Sequence, residues 1–206
     1  MEQTALAPPH DAYDDHGTAT GVTNAKLAMW IFLSSEFLLF GSFISAYLLY
    51  KGRAHTGPKP ADVYDIPFTS ATSFILLMSS LTMVLSLAAI QRGDHRRFRI
   101  WILATGLFGL TFVGGQVYEF TNFFREAHLS LSTNLFGSTF FTLTGFHGLH
   151  VLIGLVALGA LLGIAMSGRL GAIKPSGFES VAMYWHFVDA VWVVIFTVVY
   201  LWPLMA

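Results

Sequence analysis

The chain has 206 residues, of which 54% are hydrophobic and 11% are charged, and its formal net charge is -1. A soluble domain is roughly 45–50% apolar and about 25% charged, so this composition argues against a soluble globular protein and favours one embedded in lipid. The small net charge gives no electrostatic sign of a nucleic-acid partner, and the lack of cysteine excludes disulfides, iron–sulfur clusters and thiolate-bound metals in this chain.

The first segment, residues 1–24, contains four acidic residues and no Lys or Arg. It therefore lacks the basic start of a signal peptide and the Arg-rich character of a transit peptide. We predict that it is a disordered cytoplasmic tail, followed by a single membrane domain over residues 25–206.

Five apolar segments follow, each long enough to cross a bilayer core, which takes about 20 residues in a helix. The runs are continuous rather than alternating, which favours helices over a closed barrel. We predict an all-α fold, a polytopic membrane helical bundle with five transmembrane helices. The segments run from about Ala28 to Tyr50, Ala71 to Gln91, Ile100 to Glu119, Gly137 to Met166 and Ser180 to Leu204.

The distribution of Lys and Arg in the short connections predicts the orientation. One side carries seven of them, including the four arginines of the second connection, and the other side carries four. We therefore expect the N-terminus in the cytoplasm and the C-terminus outside.

Ionisable residues inside spans are costly and are candidate functional groups. We expect each of them to be a structural or a proton-related polar group. The residues are Glu36, Glu119, His147, His150, Glu179, His186 and Asp189.

Glu36 shares a helical face with Phe32, Phe43 and Tyr47. It is either a protonatable functional group or a neutral carboxyl bonded to a neighbouring helix, and desolvation favours the neutral form. The other flank of the same helix is small enough for close helix packing; it contains Ser34, Ser35, Gly41, Ser42 and Ser45.

His147 and His150 share a face of the fourth span, and His186 and Asp189 share one of the fifth. These pairs could hold a metal or a haem, but zinc or iron sites generally need three or four converging ligands, and no di-iron carboxylate pattern accompanies them. Interhelical hydrogen bonding is the alternative.

Two glutamates lie near span ends. Glu179 completes an S-x-x-E capping box with Ser176, so capping of the last helix is its simplest role. Glu119 follows Gln116 near the outer end of the third span, where its carboxylate can reach interfacial water.

Longer motifs on four of the spans resemble subunit III of bacterial haem-copper oxidases. The first motif is Ser35-Glu36 with its Phe-rich continuation in the first span, and the second is Gln116-Val-Tyr118-Glu119-Phe in the third span. The longest runs from Gly137 through Gly-Phe-His147-Gly-Leu-His150 to Gly154, and the last comprises Gly177-Phe-Glu179 and Tyr184-Trp-His186-Phe-Val-Asp189-Ala-Val-Trp192.

This resemblance implies a non-catalytic accessory subunit of a terminal oxidase that couples oxygen reduction to proton pumping. Haem and copper are then held by partner subunits and none by this chain. Subunit I is the direct partner, with subunit II, other subunits and membrane lipids as further neighbours. The family role is to stabilise subunit I during turnover, to support proton uptake, and to bind phospholipid in a cleft. The five spans match the bacterial five-helix members rather than the seven-helix ones, whose two additional helices form one wall of that cleft.

The resemblance leaves quinol open as an alternative electron donor to cytochrome c, because the chemistry of the donor lies on other subunits. Ser35-Glu36 and the segment 145–147 favour cytochrome c as the electron donor. A His-based membrane metalloprotein and a proton-coupled transporter are the remaining alternatives; the small ligand set argues against the first and the lack of inverted repeats against the second.

Overall fold

The computed structural model describes residues 24–51, 53, 64–168 and 175–205. Within these ranges there is no strand, and five helices are long and apolar enough to cross a membrane. This confirms the polytopic helical bundle, whereas the predicted tail, apart from Asn24, lies outside the described residues. The helices are α1 (Asn24–Tyr50), α2 (Ile66–Gln91), α3 (His95–Arg125), α4 (Leu135–Met166) and α5 (Pro175–Ile195), which continues as a π-helix (Phe196–Leu201) and a final turn (Trp202–Met205).

Three helices, α2, α3 and α5, begin about five residues earlier than predicted, and aspartates cap the first two of them. The Asp65 side chain accepts a hydrogen bond from the Phe68 amide at the start of α2, and Asp94 accepts one from the Arg97 amide at the start of α3. The predicted connection over residues 92–99 is therefore wrong. It is a three-residue turn around Gly93, whose φ of +71° suits glycine, and the following arginines belong to α3.

The helices pack around α5, which contacts α1, α2 and α4. α2 and α3 form an antiparallel hairpin with the most extensive interface in the bundle, and α4 also contacts α1 and α3. The core between them is rich in aromatic side chains that are almost completely buried, including Phe98, Phe112, Phe136, Phe140, Trp185 and Trp192.

α1 is the helix least covered by the rest of the chain. Of its 27 residues only Phe40 and Tyr47 are buried, against nine of 26 in α2. The small-residue flank does not pack against the rest of the described residues: its four serines are exposed, and Gly41 has no neighbour within 4 Å of an added Cβ. Each serine instead donates to a carbonyl three or four residues earlier in its own helix, which satisfies the hydroxyl without a partner helix.

Candidate functional site

The ionisable residues of the spans lie in separate clusters between the helices. Glu36 pairs with His150, Glu119 lies between two hydroxyls, His186 and Asp189 share a serine, and Glu179 lies at a helix end. Each cluster joins different helices and is described in turn.

Glu36 of α1 and His150 of α4 form a direct pair, with 3.0 Å between Oε2 and Nε2. The other ring nitrogen of His150, Nδ1, lies 2.7 Å from the Phe146 carbonyl oxygen. A carbonyl oxygen only accepts, so Nδ1 carries a proton. Nε2 then either accepts from a neutral Glu36 carboxyl or, in an imidazolium, donates to a carboxylate. Both forms of the pair are net neutral, which suits a site shielded from water.

We expect the first form, a neutral Glu36. The infrared spectrum of the wild-type oxidase minus that of Glu36→Gln should then show loss of a protonated-carboxyl C=O band. Glu126→Gln, which removes an exposed glutamate at the end of α3, is the matched control and should leave that band in place. Loss of a carboxylate band in the Glu36 variant would mean that the pair is ionised.

His147 lies one turn from His150, but its surroundings differ. The imidazole is fully buried and stacks on the Trp192 indole, with ring centroids 4.8 Å apart, and meets the edge of Phe112. Among the described residues neither of its ring nitrogens has a hydrogen-bond partner. Within the described ranges His147 therefore packs as an aromatic ring, and His150 makes the hydrogen bond from this histidine pair to another helix.

His186 and Asp189 of α5 are connected through Ser80 of α2. The Ser80 hydroxyl donates to Asp189 Oδ2 at 2.5 Å, and His186 Nδ1 lies 3.2 Å from the same hydroxyl oxygen. Because the serine proton goes to the carboxylate, Nδ1 is the donor to Ser80. In the described part of the chain, no three His, Asp or Glu side chains are grouped closely enough to hold a metal ion. The geometry is that of a hydrogen-bonded link between α2 and α5.

Glu119 of α3 lies between two hydroxyl donors. Its Oε1 accepts from Thr69 Oγ1 at 2.8 Å, and its Oε2 accepts from the Tyr200 hydroxyl at 3.0 Å. Tyr200 belongs to the π-helical segment, so the change of helical register in the last span positions this donor. Only 6% of Glu119 is exposed, although it lines a cavity of about 280 Å³ together with Asp65 and Glu126. The carboxylate thus joins three helices.

Tyr64 lies just before α2 and packs on Tyr200, with ring centroids 4.5 Å apart. Burial raises the pKa of Tyr64 well above its usual range, and the neighbouring Tyr47, Tyr200 and Glu119 raise it further. The phenol therefore stays protonated, and its ring also packs near Phe123, Phe136 and Phe140.

Glu179 does not act as the predicted helix cap. α5 begins at Pro175, so Ser176 lies inside its first turn rather than at the cap position. The Glu179 carboxylate instead forms an ion pair with Lys26 of α1, and its Oε1 accepts from Gln91 Nε2 at 3.5 Å. These contacts fasten the start of α5 to the start of α1 and the end of α2.

Sequence reasoning missed the serines of α2. Trp185 Nε1 donates to Ser79 at 2.9 Å, and Trp192 Nε1 donates to Ser73 at 2.8 Å. From the sequence alone, an indole in a span is interpreted as a packing group or an interface anchor. A signal was present, because Ser and Thr recur at helical spacing along α2, and hydroxyl side chains are common partners between membrane helices.

Two glycines make room for Trp185. A Cβ on Gly109 of α3 would lie 2.6 Å from one ring atom, and a Cβ on Gly154 of α4 would lie 2.8 Å from another. The indole is therefore held between the backbones of α3 and α4 while its N–H reaches α2.

Five spanning helices, joined at depth by hydrogen bonds, a net-neutral pair and indole–glycine packing, define an integral membrane protein whose buried polar groups connect helices. The sequence profile of the cytochrome c oxidase subunit III family matches residues 10–204. Cytochrome c oxidase subunit 3 of Bacillus sp. (strain PS3) is 36% identical over 97% of this chain and 96% of its own. The corresponding subunit of Thermostichus vulcanus is 36% identical over 91% and 96%. A probable quinol oxidase subunit 3 of Staphylococcus saprophyticus is 36% identical over 93% and 96%.

The chain belongs to the cytochrome c oxidase subunit III family. It is an accessory subunit of a haem-copper terminal oxidase, as the motifs predicted.

Proposed function

We propose that the chain stabilises the catalytic subunit I of its oxidase during turnover and supports proton uptake, while haem and copper are held by partner subunits. The observation that carries this proposal is that the buried polar side chains bond to other helices of the same chain. Glu36, Glu119 and Asp189 each bond to another helix of this chain, so they serve the packing of the bundle. The remaining contribution is made through the surface that the bundle presents to a neighbour.

The outer face of α1 is the surface that we assign to subunit I. Small side chains let membrane helices approach closely, and the exposed serine flank of α1 offers such a surface. Large apolar side chains lie beside it, including Trp30 and Phe37, which line an open groove with Phe187 of α5. A binding partner stabilises whatever conformation it binds, so docking here favours the folded form of both subunits.

Removal of the chain from the oxidase should leave the haem spectrum and the first turnovers unchanged, while activity decays several-fold faster during sustained turnover. The measurement is oxygen consumption over many turnovers by the purified complex with and without the chain, with absorption spectra recorded on both. Re-addition of the purified chain is the control and should restore the slower decay. Loss of haem or copper in proportion to this chain, with assembly controlled for, would contradict the proposal.

We propose cytochrome c as the electron donor, with quinol as the alternative. The segments around Glu36 and His147 support cytochrome c, while relatives of equal identity include proteins named for either donor. The purified complex will distinguish them by its rate with reduced cytochrome c and with a quinol.

We further propose a bacterial plasma-membrane location with residues 25–206 as one membrane domain, the N-terminus in the cytoplasm and the C-terminus outside. The arginines at the turn between α2 and α3 support this orientation, because short cytoplasmic connections are enriched in Arg and Lys.

A further inference from the structure

A groove of about 250 Å³ lies on the surface of the α2–α3 hairpin, at the turn between the two helices. Arg92 and Arg97 line its end near the turn. Leu85 and Ala88 of α2 and Ile100 of α3 line the part that runs towards the middle of the membrane. We call it the hairpin groove. Its lining is charged at the membrane surface and apolar below, so it complements an amphiphile with a charged head and an apolar tail.

The positive charge at the turn is only partly balanced. The one carboxylate in the groove, Asp94, is engaged by α3 itself: Oδ1 accepts from the Arg97 amide, and Oδ2 lies 3.2 Å from Arg97 Nε. Among the residues that the structure describes, no carboxylate is within ion-pair distance of Arg92, Arg96 or Arg99. Asp94 thus orients Arg97 while the turn as a whole keeps a net positive charge.

The depth of the groove matches a lipid. Ala88 lies one turn below Arg92 on α2, Leu85 lies about two turns below it, and Ile100 lies one turn below Arg97 on α3. Trp101 also lines the groove, and indole side chains prefer the headgroup level of a bilayer. A phosphate between the two arginines would place an acyl chain beside these apolar side chains.

We infer that the hairpin groove binds one anionic phospholipid, with its phosphate at Arg92 and Arg97 and an acyl chain along Leu85, Ala88 and Ile100. Charge complementarity selects this occupant, because basic pockets between membrane helices bind anionic headgroups and the side chains that line the lower groove are mainly apolar. The groove is bounded by α2 and α3, and so differs from the cleft of the seven-helix relatives.

The test uses the intact purified oxidase, depleted of lipid and titrated with isotopically labelled phosphatidylglycerol while native mass spectrometry counts bound lipids. The double variant Arg92→Gln/Arg97→Gln should bind the first labelled lipid about 10- to 30-fold more weakly than wild type. Arg96→Gln is the matched control: it removes an exposed arginine of the same turn that does not line the groove, so it should weaken binding no more than about threefold. Phosphatidylcholine with the same acyl chains should bind the wild type as weakly as phosphatidylglycerol binds the double variant.

A second variant tests the apolar half independently. Ala88→Phe should fill the lower groove, leave both arginines in place and weaken phosphatidylglycerol binding to a similar extent. Equal weakening by Arg96→Gln and the double variant would show diffuse charge and overturn the inference, as would unchanged binding in either groove variant. Loss of another oxidase subunit from the double variant would assign the groove to a protein partner and overturn it as well.

Discussion

Alanine at Gly154 should destabilise the bundle by about 1–3 kcal/mol, the usual cost of overpacking a filled core. The added Cβ would lie 2.8 Å from Trp185, and the indole cannot retreat because Gly109 supports its opposite edge. Gly109→Ala should act in the same way, since its Cβ would lie 2.6 Å from the ring. We expect each variant chain to separate from the purified oxidase at a lower midpoint temperature than the wild-type chain. The measurement is the loss of its band from the complex in native gels as the temperature is raised.

The matched controls are Gly159→Ala on α4 and Gly106→Ala on α3. Both glycines are helical, and an added Cβ would meet nothing within 4 Å. Alanine favours a helix over glycine by up to about 1 kcal/mol, so these variants should be neutral or slightly more stable. Equal losses at Gly154 and Gly159 would show that the effect is general to the helix rather than due to the indole.

Alanine at Glu119 should have an effect at least as large, about 2–4 kcal/mol, because it removes the acceptor of the buried Tyr200 hydroxyl and leaves a cavity, while Thr69 keeps only the Asp65 carbonyl as its acceptor. Glu119→Gln should cost roughly half as much, since its amide oxygen still accepts from either Thr69 or Tyr200. The readout is again the midpoint temperature of release from the oxidase, together with a double-mutant cycle between Glu119→Gln and Tyr200→Phe.

Glu126→Ala is the control for charge at this end of α3, because Glu126 lines the same cavity but is exposed. It should change stability by less than about 0.5 kcal/mol. Additivity of the Glu119 and Tyr200 variants would contradict the direct hydrogen bond between them.

The sequence predicted the helices well because long apolar runs in lipid have few alternatives to a helix. It placed the starts of α2, α3 and α5 about five residues too late, and for α2 and α3 the reason is that Asp65 and Asp94 cap inside stretches that composition assigned to the connections. It also treated the last span as one regular helix. The π-helical turn that positions Tyr200 leaves no periodicity to detect in six residues.

The sequence identifies the candidate polar residues by their position in the spans, but it does not show which side chains they contact. Helical spacing put His147 and His150 on one face, which is correct, yet it could not show that His147 contacts Trp192 while His150 contacts Glu36. Glu179 fitted a local capping motif, and a tertiary ion pair with Lys26 overrode it. Partner choice depends on how the helices pack together, and one sequence does not encode that in any local pattern.

The partners in two of the polar clusters lie far apart along the sequence, and this has a consequence for synthesis at the membrane. Glu36 precedes His150 by 114 residues, and Ser80 precedes Asp189 by 109. At about 5–20 residues per second, each early residue waits on the order of 10 s before its partner is made. During that interval α1 carries an unmatched carboxyl in or beside the insertion machinery. A chain whose synthesis stops before α4 therefore keeps the Glu36 carboxyl in α1 without its His150 partner.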